Sequence, residues 1–202
     1  MTDDTCGFST LELIVVVAAM GIIAACALPQ ALNSLNNYRL HSDASEISGY
    51  LNVERMRASS QNAPYALDVN SSNYAIEQLT PLAYNPLATP TSTTYTSQSP
   101  AVYDFGTQYF APGDTVTNCL VSGISVYPTP VSANPSTCGP PFQVYFNTRG
   151  LPVDNTGKGL ASGGVAIYLT NTNGMVDAVT VSSGGAVQAW NWNPTTSAWA
   201  LR

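Results

Sequence analysis

The 202-residue chain is 45% hydrophobic yet only 9% charged, with twelve acids, six bases and a formal net charge of −6. The acidic balance disfavours non-specific attachment to nucleic acid, which needs cations against phosphate, and the length allows one long helix and one modest domain rather than two large cores. Four cysteines and a single histidine, with no Cys-x-x-Cys pair, leave no zinc-type ligand set, and neither a metal nor a cofactor is expected.

In chain order, Met1 to Gly7 is a short polar start holding Asp3 and Asp4 and no base, so a positive-inside bias does not orient the apolar run after it. From Phe8 to Leu28 the only charge is Glu12, and the run matches the ~20 residues that a helix needs to cross a hydrocarbon core. Pro29 ends the run, but an apolar face continues at Leu40, Ala44, Ile47, Leu51 and Ala58, with spacings that fit a helix. The reading is one helix from about Ser9 to Gln61, kinked near Pro29 where a backbone donor is missing and stopped by Asn62-Ala63-Pro64. At ~1.5 Å per residue it would be roughly 80 Å long, enough to embed its first half and pack its second on a domain.

From Tyr65 the pattern changes to short strands. Tyr65–Val69 and Tyr74–Leu79 flank Asn70-Ser71-Ser72-Asn73, a hairpin signal. Thr80 to Pro100, rich in Pro, Ser and Thr, reads as a surface loop. Further strands are expected at Ile124–Tyr127, Phe142–Phe146, Val165–Leu169, Val176–Val181 and Ala186–Trp192. A helix first and antiparallel strands after it give an α+β class, a long N-terminal helix packed on a C-terminal β-sheet domain.

The Gly7-Phe8 junction, Glu12 four residues on and the Ala/Gly/Ile-rich helix resemble a type IV prepilin N-terminus. Arg55-Met56-Arg57-Ala58 at the helix end, Phe146-Asn147-Thr148-Arg149-Gly150, Val165–Leu169, Val179–Val181 and Gly184-Gly185 look like the GspH/FimT family of minor pilins and pseudopilins. The resemblance implies a leader at 1–7, a transmembrane and filament-core helix at 8–29, an amphipathic continuation at 30–61 and a β-rich globular domain at 62–202. It also implies cleavage between Gly7 and Phe8 and N-methylation of Phe8 by a prepilin peptidase. The precursor would sit in a bacterial inner membrane as a single-pass protein with its C-terminal domain in the periplasm. An assembly platform would then place it, among other pilins, in a type IV pilus or type II secretion pseudopilus. Glu12 is the assembly residue on this reading. A carboxylate in an apolar helix asks for a partner, and cleavage before Phe8 would supply one, the new amine of a neighbouring subunit. In an exported domain the lone pair Cys119 and Cys138 is most simply a disulfide, worth about 3 kcal/mol for a loop of about 20 residues in the chain-entropy model. Cys6 falls in the leader and Cys26 in the apolar helix.

An enzyme is not expected. His41 falls on the helix, where a solvated or packed side chain outweighs a catalytic base, and neither a G-x-S-x-G elbow nor a phosphate-binding loop is present. The alternatives kept are a major pilin and an adhesin or DNA-uptake pilin binding glycan or DNA. Against DNA, Ser182–Gln188 carries no Arg or Lys, and from Asn62 onward three bases face six acids. Trp190 and Trp192 share a strand face by period two, which favours covering a core or meeting a neighbouring subunit over sugar stacking. Asp154-Asn155-Thr156-Gly157 reads as a turn rather than a calcium loop.

Overall fold

The computed structural model describes residues 9–81, 95–121, 142–154, 156–160 and 164–202. Helix α1 runs from Thr10 to Ser60 without a break, with Pro29 inside it. Its bounds are set chemically. Ser9, in extended backbone, caps the start by accepting from the Leu11 N–H at 3.3 Å, and Gln61 closes the end by donating its N–H to Arg57 O. Asn62 then takes a positive φ, which no helix can continue. The expected Ser9 to Gln61 span therefore differs from the observed one only by its two cap residues.

Among the described residues ten strands come after it: β1 (Tyr65–Val69), β2 (Asn73–Pro81), β3 (Tyr95–Tyr109), β4 (Thr115–Val121), β5 (Phe142–Phe146), β6 (Pro152–Val153), β7 (Gly164–Thr170), β8 (Val176–Ser182), β9 (Val187–Asn193) and β10 (Ala198–Leu201). They form two five-stranded antiparallel sheets. Sheet A has the order β3-β2-β1-β5-β6, and sheet B has β10-β9-β8-β7-β4. The expected hairpin is β1–β2, paired from Val69↔Tyr74 to Tyr65↔Gln78 and closed by Asn70 N–H donating to Asn73 O at 2.8 Å. Strands β5, β7, β8 and β9 lie where the alternation of the sequence puts them, to within a residue at each end.

The surface loop expected at Thr80–Pro100 is corrected in part. Thr80 and Pro81 belong to β2, and Tyr95 to Pro100 open the long strand β3. Pro100 is tolerated because β3 is an edge strand and its pairing jumps there, from Leu79↔Ser97 to Gln78↔Val102, so that the proline owes the ladder no donor. The strand expected at Ile124–Tyr127 lies outside the described residues. The helix packed on an antiparallel β-domain is as expected, and among the described residues that domain is divided in two, with β4 and β7–β10 pairing among themselves.

Both sheets bury their apolar faces on one stretch of α1. Leu40, Ala44, Ile47, Leu51 and Ala58 are fully buried against Tyr65, Leu67, Tyr74, Ile76, Val144 and Phe146 of sheet A and Val165, Ile167, Leu169, Val179 and Val181 of sheet B. At roughly 1.5–3 kcal/mol per buried aliphatic side chain, this face dominates the stability of the domain.

Candidate functional site: the two halves of the long helix

Among the described residues the domain covers no side chain in the N-terminal half of α1. From Thr10 to Leu35 every residue is exposed, and the apolar window has a mean hydropathy of 2.6 with none of it buried. By length and composition this half can cross a membrane. Leu11, Ile14, Val17, Met20, Ile22 and Ile23 are each more than 60% exposed, an apolar surface far beyond what a folded domain normally leaves in water. Glu12 stands in the first turn, where a carboxylate is favoured by the unpaired N–H groups of the helix start. Gly7 and Phe8, the expected processing site, lie outside the described residues. Cys26 is an exposed free thiol on the same half.

The C-terminal half is fixed to the domain by polar contacts at both ends of its buried face. At the end nearer the apolar half, Asn171 and Asn173, in the β7–β8 turn, donate through their side-chain amides to Asn37 Oδ1 at 3.0 and 3.1 Å, and Asn173 also donates to Asn33 O. One turn further on, His41 Nδ1 meets Asp177 Oδ2 at 2.6 Å, and the Arg202 guanidinium donates to His41 O at 3.0 Å. His41 is thus a packed, hydrogen-bonded side chain. Burial pushes the Asp177 carboxyl above the usual range, and contact with His41 offsets only part of that rise.

At the far end, the motif residues Arg55, Gly150 and Gly185 converge. Arg55 Nη1 donates to Gly185 O at 2.8 Å. Gly150, at φ +70°, lies so close to α1 that a Cβ there would sit 2.8 Å from Arg55 O, and a Cβ on Gly185 would sit 3.1 Å from Gly150 O. Only glycine meets both demands, the left-handed backbone and the close approach. This junction ties the helix end to the β5–β6 turn of sheet A and the β8–β9 turn of sheet B. The sequence shows these three motifs but not that they touch. The Arg-free Ser182–Gln188 segment therefore has an arginine beside it, supplied through space by the helix.

Between the two ends, α1 sends two carboxyls inward. Glu54 is fully buried, and neither of its oxygens has a hydrogen-bond partner among the described residues. Burial pushes it well above the usual carboxylate range; the Leu67 backbone opposes the rise only in part, and Asp68 adds to it. Asp43 accepts the Ala111 N–H at 2.8 Å and is also raised by burial. Both carboxyls escape a periodicity reading, because charged residues on a buried helix face break the pattern it depends on.

The remaining candidates fall into structural roles. Trp190 is buried on the outer face of sheet B with Ala166, Tyr168 and Ala178, and its indole N–H donates to Thr180 Oγ1 at 2.9 Å. Trp199 packs there against Tyr168 and Trp192, with ring centroids 6.0 and 5.4 Å apart. The tryptophans thus form a second, smaller core rather than a flat stacking platform. Asp154 folds back on its own turn, accepting from the Thr156 N–H and hydroxyl and from the Lys158 N–H. Burial alone would raise its carboxyl, but these bonds, with the Thr156 hydroxyl the strongest, bring it below the usual value. Cys119 lies on β4 opposite Ile167, while Cys138 lies outside the described residues. Among the described residues no group of three or more His, Cys, Asp or Glu side chains could hold a metal ion. A groove of about 310 Å³ beside α1, lined among the described residues by Glu46, Gly49, Tyr50 and Val53, brings no nucleophile to a base.

No family model and no curated protein matches the chain. Among solved structures, it is similar to the minor pseudopilin EpsH from the Type 2 Secretion System of Vibrio cholerae, at a TM-score of 0.46 and 8% identity over 76% of this chain and 97% of that one.

Proposed function

We propose that this chain is a non-enzymatic structural subunit of the pilin and pseudopilin kind. The observation that carries the reading is the division of α1 into an apolar half that the domain leaves wholly exposed and a half that the domain grips along its length. A single continuous helix with one half unpartnered is built to be covered, first by lipid and then by the helices of other subunits. Such a helix can pass from bilayer to filament because both surroundings accept the same apolar surface.

On this reading residues 1–7 are a leader removed by a prepilin peptidase, Phe8 is the methylated mature N-terminus, and the domain beyond the membrane helix lies in the periplasm. Glu12 is held one turn from that terminus and pairs with the amine of a neighbour during assembly through an inner-membrane platform. Cys119 and Cys138 form a disulfide in the exported domain, which non-reducing peptide mapping would reveal.

The decisive measurement is mass spectrometry of the mature protein together with the yield of the Glu12→Ala variant in sheared filaments. The expected result is a chain beginning at methylated Phe8, and a Glu12→Ala variant that is processed and folded but depleted from filaments. A chain still beginning at Met1, or a Glu12→Ala variant incorporated at wild-type level, would overturn the reading.

A further inference from the structure

The segment from Phe110 to Asp114 carries the chain from β3 of sheet A to β4 of sheet B, and it is bolted to α1 by carboxyls. Ala111 N–H donates to Asp43 Oδ2 at 2.8 Å, and the segment turns on itself through Asp114 N–H donating to Ala111 O. Phe110 N–H reaches Ser72 O at 3.1 Å, and its ring lies 5.0 Å from that of Tyr74. The Asp114 carboxyl in turn lies within hydrogen-bonding reach of the Asp43 carboxyl. Asp43 is 7% exposed and Asp114 5%, and Asp114 Oδ2 has no hydrogen-bond partner among the described residues. Two buried carboxyls in contact cannot both be ionised without strong repulsion, and a hydrogen bond between them requires a proton on one.

We propose that this crossing is a proton-operated latch: a proton shared by Asp43 and Asp114 holds the 110–114 segment on the helix, and its departure to solvent lets the segment lift. The surrounding charges leave the pair in control. From α1, Arg39 favours the ionised form of Asp114, while Glu46 opposes ionisation of Asp43. From β8, Asp177 opposes ionisation of Asp114, and Asp177 is itself engaged by His41 and faced by Arg202. From β2, the Tyr74 hydroxyl faces Glu46 and Asp43, and its own ionisation is pushed far up, chiefly by burial, so it stays neutral. Desolvation is the largest influence on Asp114, with the Asp43 charge second, and they push its carboxyl up to about 7. The folded state holds this proton more tightly than the unfolded chain, so docking is at full strength below the ordinary carboxylate range and weakens as pH rises through about 7.

The test is hydrogen exchange of residues 105–116 in the full-length protein in detergent micelles, expressed as protection corrected for intrinsic exchange. Between about pH 5.5 and pH 8.5, protection of the Ala111 region should fall by roughly tenfold in the wild type. In Asp114→Asn, whose amide can donate to Asp43 without titrating, it should stay constant to within about twofold. If that variant does not fold, Asp43→Asn serves instead: Asp114 still titrates there, but without the neighbouring carboxylate and with an amide donor facing it the fall should be smaller and lie at lower pH than in the wild type. Equal protection at both pH values in the wild type, an equal fall in the asparagine variant, or a fall that extends undiminished over β7 and β8 would overturn the latch.

Discussion

The two halves of α1 are made of the same backbone and differ only in what their side chains meet. Between Thr10 and Leu35 no side chain is covered, and its Leu, Ile and Val lie open on every face of the helix. Between Leu40 and Ala58, by contrast, one narrow stripe is fully buried while residues such as Met56 remain exposed. The contrast shows that periodicity is informative only where a helix has a single partner on one side. In the first half apolar residues occur all round, as they must if lipid or several neighbouring helices are to surround it.

The largest effect that can test this contrast is removal of the first half. A chain starting near Gln30 should fold as a soluble α+β domain and lose membrane association and filament incorporation entirely. Circular dichroism and flotation on liposomes measure the two outcomes, and a truncated chain that aggregates without a cooperative unfolding transition would show that the halves are not separable. Next in size, Leu51→Ala should destabilise the domain by about 2–5 kcal/mol, because a fully buried side chain leaves a cavity. The control Leu13→Ala, 58% exposed in the first half, should leave denaturant unfolding of the domain unchanged. Comparable losses in the two variants would erase the distinction.

A smaller effect is expected at the far junction. Gly150→Ala places a methyl against Arg55 O in a left-handed backbone, at a cost of roughly 1–3 kcal/mol. Proteolysis should then begin near the β5–β6 and β8–β9 turns while the apolar half is unaffected. Smallest at acidic pH and growing as pH rises is the effect of Glu54→Gln. Because the Glu54 carboxyl is raised by burial, its protonated form stabilises the fold fully below the unfolded value of about 4.3 and progressively less as pH rises towards the folded value. The glutamine, neutral throughout, should make the domain more resistant to urea than the wild type at alkaline pH and leave it nearly equal at pH 4. A wild-type stability that increases steadily from pH 4 to pH 8 would contradict this.

How much of the molecule was legible in its sequence depended on the kind of interaction involved. The limits of α1 are written locally, in Ser9 as a cap and Asn62-Ala63-Pro64 as a stop, and so could be read to the residue. The central strands β7 and β8 announce themselves because both of their faces are covered: β7 is a nearly continuous apolar run, and β8 is rich in β-branched residues, interrupted by Asp177 and Thr180. Edge strands carry a weaker signal. β3 hides behind Pro100 and a run of Ser and Thr, and β10 offers only Ala198 to Leu201. The division of the strands into two sheets was not legible, because the 110–114 crossing between them and the start of β4 are fastened by contacts distant in sequence, to Ser71 and Ser72 of the β1–β2 turn and to Asp43, an acid for which the local helix pattern gives no reason. The Arg55–Gly185 tie escaped for the same reason: it joins residues 130 positions apart through a backbone oxygen that any residue would present.

Both sheets are seated side by side on the stretch from Leu40 to Ala58, roughly 27 Å of helix at 1.5 Å per residue. A pull along the axis of the apolar half would therefore enter the domain as shear shared by every packed side chain on that stretch, with the asparagine contacts at one end and the arginine tie at the other loaded together. A short attachment would peel open one contact at a time. Here the rod can be drawn out only if all of them slip at once, so the domain should follow its helix under tension rather than be stripped from it.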